Sequence, residues 1–179
     1  MKNILAIDPG SVQSGVVTYD VDKKKVLYHA KLENKVLIQW LHRLEDGAEA
    51  CGVMNIAKFG EVCIERIEAI CYTTALHYED LYETARMEGM LHLSLRNLGA
   101  KVSWKKRQNV ILKLAQVTGS ACPIGNRDAW VRQVLIDAGH IAKTKSKANT
   151  LPWMRTTDER SAFAIALTHE YGTAERAVL

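Results

Sequence analysis

No two of the four cysteines, Cys51, Cys63, Cys71 and Cys122, are spaced as CxxC, and each lies in apolar or mixed surroundings. That absence argues against a disulfide framework or a zinc centre, and four reduced thiols in a cytoplasmic protein are expected instead. No apolar run is long enough to cross a bilayer, and the N-terminus enters a strand-like stretch with no signal-peptide pattern. Internal repeats, low-complexity tracts and interdomain linkers are also lacking, so residues 1–179 are expected to form a single domain with a proper core. A strong charge of one sign is missing too: the net charge is +4, with 47% hydrophobic and 25% charged residues, as in an ordinary soluble globule. The distribution is less even than the total. Lys101, Lys105, Lys106, Arg107 and Lys113 cluster in one stretch, and Lys143, Lys145, Lys147 and Arg155 in another that contains no acid from Lys143 to Thr157. Such patches suit a polyanion, although a solvated surface alone also produces them.

What is present begins with Ile4-Leu5-Ala6-Ile7-Asp8-Pro9-Gly10, followed by Gly15-Val16-Val17. It reads as a buried strand ending on a carboxylate, a sharp turn, and a returning strand. An Asp at the tip of a central strand is costly unless a metal or other cation offsets its charge. Strands are predicted over 2–8, 15–20 and 25–32, with a hairpin turn from Asp20 to Lys24. A helix follows from a cap at Asn34 to about Ala50, with Val36, Leu37, Trp40, Leu41 and Leu44 at helical spacing. Val62-Cys63-Ile64-Glu65 is a short apolar strand that again ends on a carboxylate. A long helix over about 74–97 is closed by Gly99, and 102–104 is a fifth strand. Helices near 106–116 and 126–138 flank a loop, and Thr156 or Thr157 caps a last helix running to about Tyr171. The order predicts an α/β fold with a five-stranded mixed sheet, three antiparallel strands and then parallel ones, flanked by helices.

Asp8 and Glu65 end strands expected to be parallel neighbours, and Asp158 enters from the first turn of the last helix. Adjacent strands lie about 4.8 Å apart, so carboxylates at their ends can share a cation. Three acids from separate segments at one sheet end suit two-metal phosphodiester chemistry, in which two divalent ions clamp the attacking water and the leaving oxygen. Asp8-x-Gly10 with Gly15 also suits the phosphate-binding hairpin of actin-like ATPases and sugar kinases. That architecture clasps nucleotide between two such domains, and the chain is too short for a second.

The ordered landmarks resemble the RuvC family of Holliday-junction resolvases, which have the RNase H-like fold. They are Ile7-Asp8-Pro9-Gly10-Ser11 with Gly15, Glu65 after its strand, Asn97-Leu98-Gly99 with Val102, Val117-Thr118-Gly119-Ser120, and Asp158 followed by Ala162, Ala164 to Leu167, Thr168 and His169. They span nearly the whole chain. The resemblance implies a homodimer that cuts four-way DNA junctions by divalent-metal-dependent hydrolysis, with two Mg2+ (or Mn2+) ions per site. Asp8, Glu65 and Asp158 would be the catalytic and metal-holding residues. Lys105, Lys106, Arg107, Lys113 and Arg127 lie where the family contacts DNA backbone, and their expected role is phosphate contact. The helix 74–97, with Tyr78, Tyr82, Met87 and Met90 outside its main apolar side, is the expected dimer contact.

One position departs from the family pattern. The family's fourth acid stands three residues after Asp158, and here that residue is Ser161. Glu159 and Glu68 are the nearby acids that could compensate, and a junction-binding protein with weak or lost cleavage is the alternative reading. His169 is expected to be a satisfied structural histidine, while Trp153 and Tyr72 are open between packing and contact with DNA.

Overall fold

The computed structural model describes residues 3–45, 59–66, 78–122, 125–145 and 151–176. Strands β1 (Asn3–Asp8), β2 (Gln13–Asp20) and β3 (Lys25–Glu33) lead into helix α1 (Asn34–Glu45). Then come β4 (Phe59–Arg66), α2 (Tyr78–Asn97), β5 (Val102–Lys106), α3 (Arg107–Thr118), α4 (Arg127–Asp137) and α5 (Thr157–Arg176). The sheet order is β3-β2-β1-β4-β5. β1 pairs antiparallel with β2 and parallel with β4, and β5 runs parallel to β4. The predicted mixed sheet is therefore present, with β1 at its centre.

The period of two along each strand divides the core into two layers. Ile4 and Ala6 of β1, Val17 and Tyr19 of β2 and Cys63 of β4 pack with Leu114, Leu135 and Ile165 from α3, α4 and α5. Leu5, Ile7, Val16, Val62 and Ile64 face the other way, against Leu37, Leu41, Met87, Leu91 and Leu95 of α1 and α2. Even-numbered residues of β1 thus look toward α5, as do odd-numbered residues of β2 and β4, and this parity sets where the acids point. Helix α5 is buried on all sides from Ser161 to His169, as expected for a helix sandwiched between a sheet and other helices.

Several ends match their local signals. Gly99, Gly119 and Gly139 close α2, α3 and α4 with φ of +67°, +65° and +71°, a conformation glycine adopts without a Cβ clash. Thr156 and Glu159 form a capping box at the start of α5: the Thr156 amide donates to Glu159 Oε2 at 2.8 Å, and the Glu159 amide donates to Thr156 Oγ1 at 3.2 Å. Asn34 differs from expectation. Its amide donates to the Gly10 and Ser11 carbonyls at 2.9 and 3.2 Å and accepts from Ser14 Oγ at 2.7 Å. Its side chain therefore ties down the loop after Asp8 rather than capping α1, since both its N–H donors and its carbonyl oxygen are engaged there.

Met87, expected outside the main apolar side of α2, is buried in the core. Cys63 is buried and Cys122 exposed, neither in a disulfide, while Cys51 and Cys71 lie outside the described residues. Among the described residues no helix is long and apolar enough to cross a membrane.

Two glycines near Asp8 are required by close backbone approach. A Cβ on Gly10 would sit 2.4 Å from the Gln13 carbonyl oxygen, so the turn needs its bare backbone for its own closure. A Cβ on Gly15 would sit 2.1 Å from the Asp158 carbonyl oxygen, so β2 and the first turn of α5 are in direct backbone contact there. Gly15→Ala is expected to cost about 3 kcal/mol, because backbone on both sides cannot yield as a side chain does. Urea unfolding measures this, and a loss below about 1 kcal/mol would mean that α5 is not seated on Gly15.

Candidate active site

Strand register lines up charged residues beneath the start of α5. Asp8 is opposite Gly15, and Gly15 is opposite Lys31 of β3. On the other side Ile7 is opposite Ile64, which sets Asp8 beside Glu65, and Glu65 is opposite Lys105. Residues opposite one another share a sheet face, so Lys31, Asp8 and Glu65 all meet α5. From α5 come Asp158 and, one turn later on the same helical face, Ser161.

The electrostatics follow from this convergence. Burial raises the Asp8 carboxyl well above its ordinary range, and the negative charges of Glu65 and Asp158 push the same way. Arg107 and a hydrogen bond with Ser161 oppose the rise without overcoming it. Glu65 is also raised, first by burial and then by Asp128 and Glu88, against the pull of Arg107. The three acids read from the sequence are thus electrostatic neighbours.

Arg107, the first residue of α3, is the hub of the arrangement. Its Nη1 donates to both Glu65 oxygens, at 3.2 and 3.3 Å, and to Ser161 Oγ at 3.2 Å. Its Nη2 donates to Asp128, in the first turn of α4. Burial works against its charge, but Glu65, Asp8 and Asp128 more than compensate. Lys31 Nζ lies 2.7 Å from Asp158 Oδ2. Two of the three carboxylates are therefore paired with cations of the chain itself, and among the described residues no three His, Cys, Asp or Glu side chains form a metal-binding group. As a donor set, three carboxylates still fit a hard divalent cation: the Asp8 carboxyl is buried, and Glu65 and Asp158 repel its charge.

Glu159 does not stand in for a fourth acid. Its Oε2 is used by Thr156 in the capping box and its Oε1 by His29 Nδ1 at 2.7 Å, on the β3 side. Glu68 lies outside the described residues, as do Tyr72 and Lys147.

Of the predicted phosphate contacts, Lys105 is half-buried on β5, Lys106 exposed at its end, and Arg127 exposed at the start of α4. Lys113 on α3 donates to Gln116 at 3.2 Å. Arg107, grouped with them from sequence, is instead directed at carboxylates of its own chain. Local sequence holds no signal separating a cation aimed at solvent from one aimed at a strand forty-two positions away. Asp128 and Lys31 are invisible to local sequence for the same reason. His169 is buried, and its Nε2 is bonded to Glu61. Trp153 is half-buried beside buried Met154.

No family model matches the chain, and no curated protein sequence does so significantly. Solved structures do match. Thermus thermophilus RuvC in complex with a Holliday junction substrate superposes with a TM-score of 0.61 at 19% identity, covering 97% of this chain and 96% of that one. A further Thermus thermophilus RuvC structure gives 0.60 at 18% identity over 97% and 96% of the two chains. The yeast mitochondrial Holliday junction resolvase Ydc2 gives 0.61 at 13% identity, covering 97% of this chain and 80% of that one. The fold is the RNase H-like fold of these resolvases, as the sequence landmarks implied.

Asp8→Asn is expected to stabilise the metal-free protein. A carboxyl raised by burial takes up protons on folding, so the wild type loses stability as pH climbs from about 4 through the raised value. The asparagine variant lacks that loss and should melt about 3 °C higher at pH 7 in EDTA, with no difference below pH 4. A lower melting temperature in EDTA at pH 7 would contradict the repulsion described here.

Proposed function

We propose that this protein is a structure-selective endonuclease that resolves four-way DNA junctions by hydrolysing phosphodiester bonds. The observation that carries the reading is the convergence of Asp8, Glu65 and Asp158 at one end of the sheet, on a fold shared with a RuvC that was solved on a Holliday junction. Asp8, Glu65 and Asp158 are the residues that would hold Mg2+ or Mn2+. When bound, such ions activate water and neutralise charge on the leaving oxygen. The chain supplies the rest. β1 and β4 fix two carboxylates, Gly15 lets the backbone carrying Asp158 approach the sheet, and Asn34 holds the turn after Asp8.

Lys105, Lys106, Lys113 and Arg127 lie on the elements around the carboxylates and are assigned to phosphate contact, with the exposed Lys143, Lys145 and Arg155 in reach of further DNA. Tyr78, Tyr82, Met90 and Leu93 leave large apolar groups exposed on α2. A second copy of the chain is the assigned partner of that surface, because a two-fold dimer places one site on each of two symmetric strands.

A second reading, binding with weak or absent cleavage, is favoured by one observation: Ser161 is neutral, and Arg107 occupies both Glu65 oxygens. A synthetic four-way junction with Mg2+ separates the two. Paired symmetric nicks support the endonuclease, and Asp8→Asn should slow them by at least about a hundredfold with binding retained. Tight binding without nicks in Mg2+ or Mn2+ establishes the second reading, and no preference for the junction over duplex DNA removes both.

Replacing Lys105, Lys106, Lys113 or Arg127 singly by Gln should weaken junction binding at every sequence tested. Removing one phosphate-binding cation should reduce the slope of log K against log salt by about one. A variant whose slope equals that of the wild type does not touch phosphate.

A further inference from the structure

Across β3, β2, β1, β4 and β5 the register sets Lys31, Gly15, Asp8, Glu65 and Lys105 in one row, on the sheet face that meets α5. A cation therefore stands at each end of the row. We propose that Lys31 is a substrate-binding residue of this site: its ammonium, held beside the carboxylates by Asp158, contacts the phosphate whose bond is cleaved. The inference rests on the endonuclease reading above and adds to it a residue that lies outside the basic stretches of the sequence.

Lys31 is two strands from Asp8, about 10 Å across the sheet, and Gly15 between them carries no side chain. The space over Gly15 is taken by the first turn of α5, whose Asp158 carbonyl oxygen lies 2.1 Å from where a Gly15 Cβ would sit. Lys31 Nζ meets that turn at Asp158 Oδ2, 2.7 Å away. An ammonium has three N–H donors, and one bond to Asp158 leaves others for a ligand. The Lys31 side chain is 35% exposed and that of Asp158 29%, so the pair lies at the mouth of the site, where DNA would arrive. Arg107, by contrast, directs Nη1 to Glu65 and Ser161 and Nη2 to Asp128.

The pair is not what seats α5. Gly15 already meets the helix backbone, and Thr156 and Glu159 close the capping box. His29, two residues before Lys31 on the same face of β3, holds Glu159 Oε1 at 2.7 Å. A partly exposed ion pair adds little to a helix start fixed in three other ways. Its chemistry is better matched to the substrate. A phosphate approaching Asp8, Glu65 and Asp158 is repelled, and a cation with open donors among them offsets that repulsion. As water attacks, the same fixed charge stabilises the negative charge growing on the non-bridging oxygens. Lys31 itself forms no bond and exchanges no proton.

The test is a double-substitution cycle between the residue and single phosphates, read as binding in EDTA so that no bond is cut. Four-way junctions carry one uncharged methylphosphonate at each phosphate flanking the crossover in turn, and the cleaved position is mapped separately by nicking in Mg2+. On the unmodified junction at low salt, Lys31→Gln is expected to bind about fivefold more weakly than the wild type. With the cleaved phosphate uncharged the two proteins should bind equally, and Lys31→Arg, which keeps the charge, should restore sensitivity to that phosphate. Equal weakening of every junction by Lys31→Gln, or none, overturns the inference, because Lys31 then serves only Asp158. Coupling confined to phosphates away from the nicked bond overturns it as well. The two readings fail separately. Junction preference without any coupling removes the Lys31 contact alone, whereas absence of junction preference removes the endonuclease. If no nick forms, coupling at a crossover phosphate still assigns the contact, and cleavage alone is lost.

Discussion

The negative charge of Asp8 at the end of the central strand is the constraint around which this end of the molecule is arranged. β1 is flanked by β2 and β4 and covered by α5, so Asp8 cannot turn to solvent without leaving the register that pairs it with Gly15. Each neighbour addresses that charge in a way its own position permits. Ser161 gives it a hydrogen bond, Arg107 a cation at one remove, and Glu65 and Asp158 make it worse. A fold selected for stability alone would place an apolar residue there. Carboxylates kept close together against mutual repulsion are the kind of local destabilisation that functional sites tolerate.

The same strand shows the contrast. Glu61 and Glu65 lie four residues apart on one face of β4, roughly 13 Å in an extended strand, and Ser161 and His169 lie eight apart on α5, roughly 12 Å along a helix. The two spans match, so each acid meets α5, Glu65 near Ser161 through Arg107 and Glu61 at His169. At Glu61 burial opposes ionisation, yet bonds from His169 and Lys101 outweigh it and bring the carboxyl down to about 2. At Glu65 burial prevails over Arg107 and the value rises. One end of the strand is an ion pair that stabilises the fold above acidic pH, and the other is held in tension where chemistry is proposed.

The strands and their order were legible because hydrophobic alternation and the Asp8-Pro9-Gly10 turn are local signals, and the two strand-end acids followed from them. Asp158 was legible from the cap at Thr156 and the apolar helix after it. What escaped was long-range. Asn34 has the composition of a helix cap, and only the folded turn at Gly10 and Ser11 shows a better use for its amide. Arg107 sits among lysines in the chain, and nothing within a few residues says that Glu65 and Asp128 will surround it. Hairpins and helices are read from neighbours in sequence, whereas an ion pair between β4 and α3 exists only once the sheet edge and the helix start have met.

Glu159 shows why a helix face matters more than proximity in the chain. It follows Asp158 directly, and counting acids alone would make it the substitute for the one absent at Ser161. A helix turns about 100° per residue, so Glu159 leaves the Asp158–Ser161 face and looks toward β3. There its two oxygens are already used, one by Thr156 in closing the helix start and the other by His29. Those bonds outweigh its burial and lower its carboxyl, so it is ionised and engaged. Turning it toward Asp8 would unwind the cap that positions Asp158. The acid next in sequence therefore serves the site by holding the start of α5 in place, and the group that meets Ser161 is the cation Arg107 rather than another carboxylate.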